Sequence, residues 1–140
     1  MITLAEYDAT ETNAASEILR RRCARSDLLS YCEYIDDQYK TPDHIQDLAA
    51  ALSRVESGDI KRLAIFEPPR HGKSRLCSQL FPCWYMGRHP KREVVQSGYS
   101  IDIALEHSRK ARDVFASAEN EKVFPNVRHQ PGTSGQLSVV

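Results

Sequence analysis

The sequence has no excess charge of either sign, since 19 basic and 19 acidic side chains cancel to a formal net charge of zero. Bulk electrostatics therefore give no footprint of a dedicated nucleic-acid binder, and any such role has to come from motifs. Long apolar runs are also lacking. No stretch approaches the roughly 20 residues that a membrane span needs, and Met1 to Thr12 lacks the basic-then-apolar layout of a secretory signal. Both absences point to a cytosolic protein with no membrane partner. Cysteine is sparse: Cys23, Cys32, Cys77 and Cys83 show neither a C-x-x-C spacing nor a histidine pair at ligand distance. That argues against a zinc site and a disulfide framework and leaves reduced, mostly buried thiols. Repeats and low-complexity blocks are missing too, so 140 residues with 41% hydrophobic content read as one domain around one core.

What is present is a succession of short elements. A polar start (1–15) leads into a basic helix over Glu17 to Arg25, whose arginines suit a solvated face better than a DNA contact. Ser26 then caps a short helix running to Ile35. The next helix, Pro42 to Glu56, is better marked: Thr41 is a good N-cap, Pro42 suits the first helical position and Asp43 complements the helix dipole. Ile45, Leu48, Ala49, Leu52 and Val55 share its inward face, and Gly58 supplies the left-handed residue that ends it.

From there the pattern changes. Arg62-Leu-Ala-Ile-Phe66 is too short for an independent helix and reads as a strand buried on both faces, ended by Pro68 and Pro69. A helix follows from Lys73 to Met86, kinked or interrupted at Pro82. Glu93-Val-Val-Gln-Ser97 reads as a second strand and Ile101 to Ser117 as a further helix. Strand, helix, strand, helix predicts an α/β fold, an open parallel sheet with flanking helices. The expected organisation is an N-terminal helical segment (1–40), a core (41–127) and an irregular tail (128–140).

The chemistry concentrates in Glu67-Pro-Pro-Arg-His-Gly-Lys-Ser74, which ends in Gly-Lys-Ser where a helix is expected to begin. Gly72 has no Cβ, so phosphate oxygens can approach its backbone, and the first amides of the new helix have no other partners. Lys73 would reach the outer phosphates, and Ser74 would offer its hydroxyl to Mg²⁺. Arg70 is a second cation within reach, suited to stabilising charge on a transferring phosphoryl group; its alternative is a surface pair with Glu67. His71 has no required task beyond packing or a minor phosphate contact. The pattern departs from G-x-x-x-x-G-K-[ST] at its first position, where Glu67 replaces glycine and Pro68 and Pro69 shape the loop instead.

In this order the motifs resemble the N-terminal ATPase portion of bacteriophage terminase large subunits, the motors that package DNA. The resemblance covers about residues 27 to 127 and is most specific at Pro68-Pro-Arg-His-Gly-Lys-Ser74. Thr41-Pro-Asp-His-Ile-Gln46 is similar to the family's upstream helix, which implies His44 and Gln46 as adenine-site residues. The resemblance further implies a P-loop NTPase fold, ATP and Mg²⁺ as cofactors, and phosphate contacts from Pro69, Arg70, His71, Gly72, Lys73 and Ser74. A small terminase subunit, a portal protein and double-stranded DNA would be partners in the cytoplasm of a bacterial host. The family's paired acids, which hold Mg²⁺ and polarise water, and its nuclease domain have no counterpart before Val140, so a truncated product that binds but hardly hydrolyses ATP is expected. Two rivals are a non-enzymatic remnant or partner-binding protein and a small-molecule kinase of the same loop class. The nucleotide reading sets two structural conditions: Arg62 to Phe66 in a sheet, and a chain before Lys73 that curls around an anion.

Overall fold

A computed structural model describes residues 4–127, with side chains from Asn13 onward. The expected tail, 128–140, lies outside the described residues. The chain forms α1 (Leu4–Ser26), α2 (Leu28–Ile35), α3 (Asp43–Ser57), α4 (Lys73–Arg75), a π-helical turn (Leu76–Leu80), α5 (Phe81–Arg88), α6 (Ile101–Phe115) and α7 (Ala118–Val123). From Lys73 to Arg88 the helical backbone is continuous.

Neither expected strand forms. Among the described residues there is no sheet, so the open parallel α/β architecture is replaced by a helical one, and the P-loop NTPase-like fold goes with it. Residues 62–68 and 93–97 are irregular chain; Phe66 is 93% exposed where burial on both faces is the expectation, and Val95 in the second stretch is 89% exposed. The physical reason is that a strand is not a local object. Its N–H and C=O groups need another backbone about 4.8 Å away, which a short apolar run cannot supply for itself.

Smaller corrections follow the same logic at helix ends. Pro42 is the N-cap of α3 rather than its first helical residue, while Gly58 ends the helix in the left-handed conformation, φ 88°, as expected. Asp27, not Ser26, caps α2, accepting from the Ser30 amide at 2.7 Å. Ser26 instead closes α1, its hydroxyl donating to Arg22 O and Cys23 O. The expected interruption at Pro82 takes the form of the π turn: the Phe81 amide donates to Leu76 O, five residues back. Pro82 has no N–H to give Ser78 O, and that carbonyl accepts the Gln96 side-chain amide.

The core gathers apolar faces from every helix but α4, including Leu28, Tyr31, Leu48, Leu52, Leu76, Leu80 and Trp84. Its polar atoms are paired within it. The Trp84 indole donates to Ala24 O at 3.1 Å, joining α5 to α1. Tyr31 Oη donates to Asn120 Oδ1 at 2.7 Å, and the Asn120 amide donates to Phe115 O at 2.9 Å, so one buried asparagine ties α2 to the α6–α7 corner. Burial holds the Tyr31 phenol well above its usual pKa, keeping it a neutral donor. At the rim, Arg88 donates to Arg25 O and Ser26 O, covering carbonyls at the end of α1, and also pairs with Glu56 at 2.9 Å.

Gly87 lies where α5 meets Phe124, and an added Cβ would sit 2.4 Å from two carbons of that ring. Helix propensity alone would reward Gly87→Ala by about 1 kcal/mol. The expected outcome has the opposite sign, a net loss of about 1–3 kcal/mol from overpacking. A urea melt monitored at Trp84 measures it, and Phe124→Leu in the same chain should recover most of the loss.

Candidate functional site

The first structural condition of the nucleotide reading fails, because Arg62 to Phe66 lie outside any sheet; toward the second, a chain before Lys73 that curls around an anion, the structure shows a sharp turn. Pro69 and Arg70 occupy a turn, and Arg70 and Gly72 both adopt left-handed backbone, at φ 66° and φ 82°. Holding a residue with a Cβ in that region costs on the order of 1–2 kcal/mol, so Arg70 marks a bend imposed by its surroundings. Gly72 then acts as N-cap of α4 with no side-chain cap bond, and the first backbone bond of the helix runs from the Leu76 amide to Gly72 O. The amides of Lys73, Ser74 and Arg75 therefore have no acceptor inside the helix. Because the helical backbone continues to Arg88, their partial positive charge belongs to a helix of several turns.

The bend is seated on the start of α3. A Cβ on Gly72 would lie 3.2 Å from Ile45 Cδ1, and His44 Nε2 lies 3.2 Å from His71 O, the two imidazoles meeting edge to face at 5.6 Å. Thus His44, assigned to an adenine site by resemblance alone, does come next to the loop. Gln46 does not reach it: its amide donates to Thr41 O at 2.8 Å. His71 turns back on its own loop, Nδ1 lying 2.9 Å from Pro69 O.

The Lys73 ammonium donates to Glu67 O at 3.3 Å, which holds the side chain across the mouth of the bend. Ser74 and Arg70 are exposed. Arg70 does not pair with Glu67, whose Oε2 is buried without a partner. Arg75, one residue beyond the motif, is committed elsewhere, to a salt bridge with Asp36 and a position 5.5 Å over the Tyr39 ring. Cys77 lies a turn further on; burial chiefly, and Glu67 in addition, push its thiol up to about 11, with Lys73 opposing. Burial also pushes Cys83 up to about 12 and Cys32 higher still.

The donor set fits an anion. Three unpartnered amides and the Lys73 ammonium lie at one bend, to which the exposed Arg70 belongs, with one carboxylate, Glu67, close by. For a cation it offers less. No three His, Cys, Asp or Glu side chains group to hold a metal among the described residues, so Mg²⁺ would take the Ser74 hydroxyl together with phosphate and water oxygens. Two features were not legible beforehand: the Ile45 contact under Gly72, and the orphaned Glu67 oxygen. Ile45 carries only a core signal in the sequence, and no local pattern marks a carboxylate for burial. No family model, curated protein or solved structure matches the chain.

Two glycines allow the bend's support to be measured. Gly58→Ala meets open space and suffers backbone strain alone, about 1 kcal/mol, whereas Gly72→Ala suffers that and the Ile45 contact. In urea titrations Gly72→Ala is expected to cost more, and Ile45→Val should relieve only that excess. Thiol labelling at pH 8 provides a second check. Exposed Cys23 should react first and Cys77 slowly, while buried Cys32 and Cys83 should react only on unfolding; equal rates for all four would contradict this packing.

Proposed function

We propose that Glu67 to Ser74 binds the phosphates of ATP together with Mg²⁺, in the manner of the ATP-binding part of terminase large subunits, which the sequence resembles. The observation that carries this reading is the uncapped helix start at Gly72, where left-handed backbone exposes three amides beside the Lys73 ammonium. The reading rests on that loop and on the motif alone, since the sheet that it also required does not form among the described residues. Gly72 admits the anion, Lys73 exchanges the Glu67 carbonyl for phosphate oxygen, Ser74 ligates Mg²⁺, and Arg70 adds a second positive charge. Pro69 and His71 set the shape of the bend, and His44 borders it as the nearest residue for a base or ribose.

Binding with little or no turnover is the activity these residues support. Orienting a water for attack takes a carboxylate or its equivalent, and the acid by the loop, Glu67, has one oxygen turned inward and buried. In a packaging motor the partners would be a small terminase subunit, a portal protein and double-stranded DNA. No helix among the described residues is long and apolar enough to cross a membrane. A partner-binding role without nucleotide is the second reading, favoured by the exposure of Phe66, Val95, Tyr99 and Ile101.

Calorimetric titration with Mg-ATP tests the first reading. Binding is expected for the wild-type chain, and Lys73→Ala should weaken it by about 1.5–3 kcal/mol, the scale of a charge-assisted hydrogen bond. Equal affinity in the two proteins, or no heat in either, would reject it.

A further inference from the structure

One stretch of backbone in this molecule is extended, apolar and unpaired. Between the Ile60 amide, which bonds Arg54 O, and the Leu76 amide, which bonds Gly72 O, no backbone-to-backbone hydrogen bond is made. Residues 62–68 run without a turn or bend before Pro69. Ile65 leans on the core, while Leu63 is 36% exposed and Phe66 93% exposed. Such a segment has the attributes of an uncovered sheet edge, with free donors and acceptors beside apolar side chains. It also has a carboxylate oxygen, Glu67 Oε2, that is buried and lacks a partner.

We propose that Lys61 to Glu67 docks against the same segment of a second copy of this chain, the two running antiparallel about a two-fold axis through Ala64. The register follows from symmetry and charge. In a two-fold antiparallel pair, opposed residues lie on the same face, so the numbers of each opposed pair must have an even sum. Centred on Ala64, Leu63 opposes Ile65, Arg62 opposes Phe66 and Lys61 opposes Glu67. That sets the Lys61 ammonium opposite the half-buried Glu67 side chain and the Arg62 guanidinium opposite the exposed ring, with apolar side chains between. Centring on Leu63 would set Asp59 against Glu67, two like charges. Centring on Ile65 would leave Glu67 facing Leu63 and put Pro68, which has no N–H, in the ladder. The other extended stretch offers no such match, because Glu93 to Ser97 folded on itself about Val95 pairs Glu93 with Ser97, and its Gln96 is already bonded to Ser78 O. Pro68 and Pro69 stop the ladder at Glu67, the first residue of the proposed phosphate loop, and the pairing uses none of Gly72, Lys73 and Ser74, so it does not depend on the nucleotide reading.

Charge exchange in the full chain tests the pairing by sedimentation velocity across a range of concentrations. Wild type is expected to associate reversibly to a dimer. Lys61→Glu and Glu67→Lys, each alone, set like charges opposite each other twice per dimer and should weaken association by about tenfold or more. An equimolar mixture of the two variants restores both opposite-charge pairs and should form the heterodimer. Phe66→Ser, at a side chain 93% exposed and so outside the core, should also weaken association while leaving the helical circular dichroism unchanged. A wild-type chain that stays monomeric, variants that associate as wild type does, or a mixture that fails to pair would overturn the proposal.

Discussion

Left-handed backbone at Gly72 is the constraint on which the rest of this structure depends. By turning the chain there, the molecule starts a helix whose later residues, Leu76, Leu80, Cys83 and Trp84, fall into the core, while its first amides stay at the surface. A Cβ at this position would meet Ile45, which itself belongs to the buried face of α3. The loop is thus held from below by the core and is free above. Rigid support beneath an exposed row of donors is what a binding loop requires, because donors already in place need no reordering when an anion arrives.

The helices hold one another chiefly through apolar burial, and a few polar contacts select how they meet. Tyr31 with Asn120, Trp84 with the Ala24 carbonyl, and Arg88 with the end of α1 and with Glu56 each join elements distant in sequence. Contacts of this kind add modestly to stability when made and cost more when one partner is lost, so they act against alternative packings of the same apolar surfaces. Pro82 has a comparable role. By withholding one N–H it widens the helix into a π turn and leaves the Ser78 carbonyl to anchor Gln96, which fastens the otherwise irregular chain of 93–97 to the helix.

Legibility in the sequence followed how local each feature is. The existence of α3, the left-handed stop at Gly58, the helix start after Gly72 and the disturbance at Pro82 depend on a few neighbouring residues, and the structure has them, with α3 shifted by one residue at each end. Around the loop, His44 approaches His71, whereas Gln46 turns away to Thr41. The alternative to a phosphate contact for Arg70, a surface pair with Glu67, does not form. Such a pairing depends on the path of the backbone between the two, and the left-handed turn at Arg70 changes that path.

Strand formation was the principal failure, and it has one cause. Arg62 to Phe66 and Glu93 to Ser97 have the composition of strands, yet composition states only a preference for extended backbone; pairing requires a second chain segment at the right distance, and the fold brings none. The sequence by itself determined the left-handed stop at Gly58, the helix start after Gly72 and the break at Pro82, because glycines and prolines act within a turn or two of backbone. Tertiary structure alone decided that the extended segments stay unpaired, that Ile45 supports Gly72, and that Glu67 buries an oxygen without a partner. Each of these depends on distances between residues far apart in the chain, which local chemistry does not set.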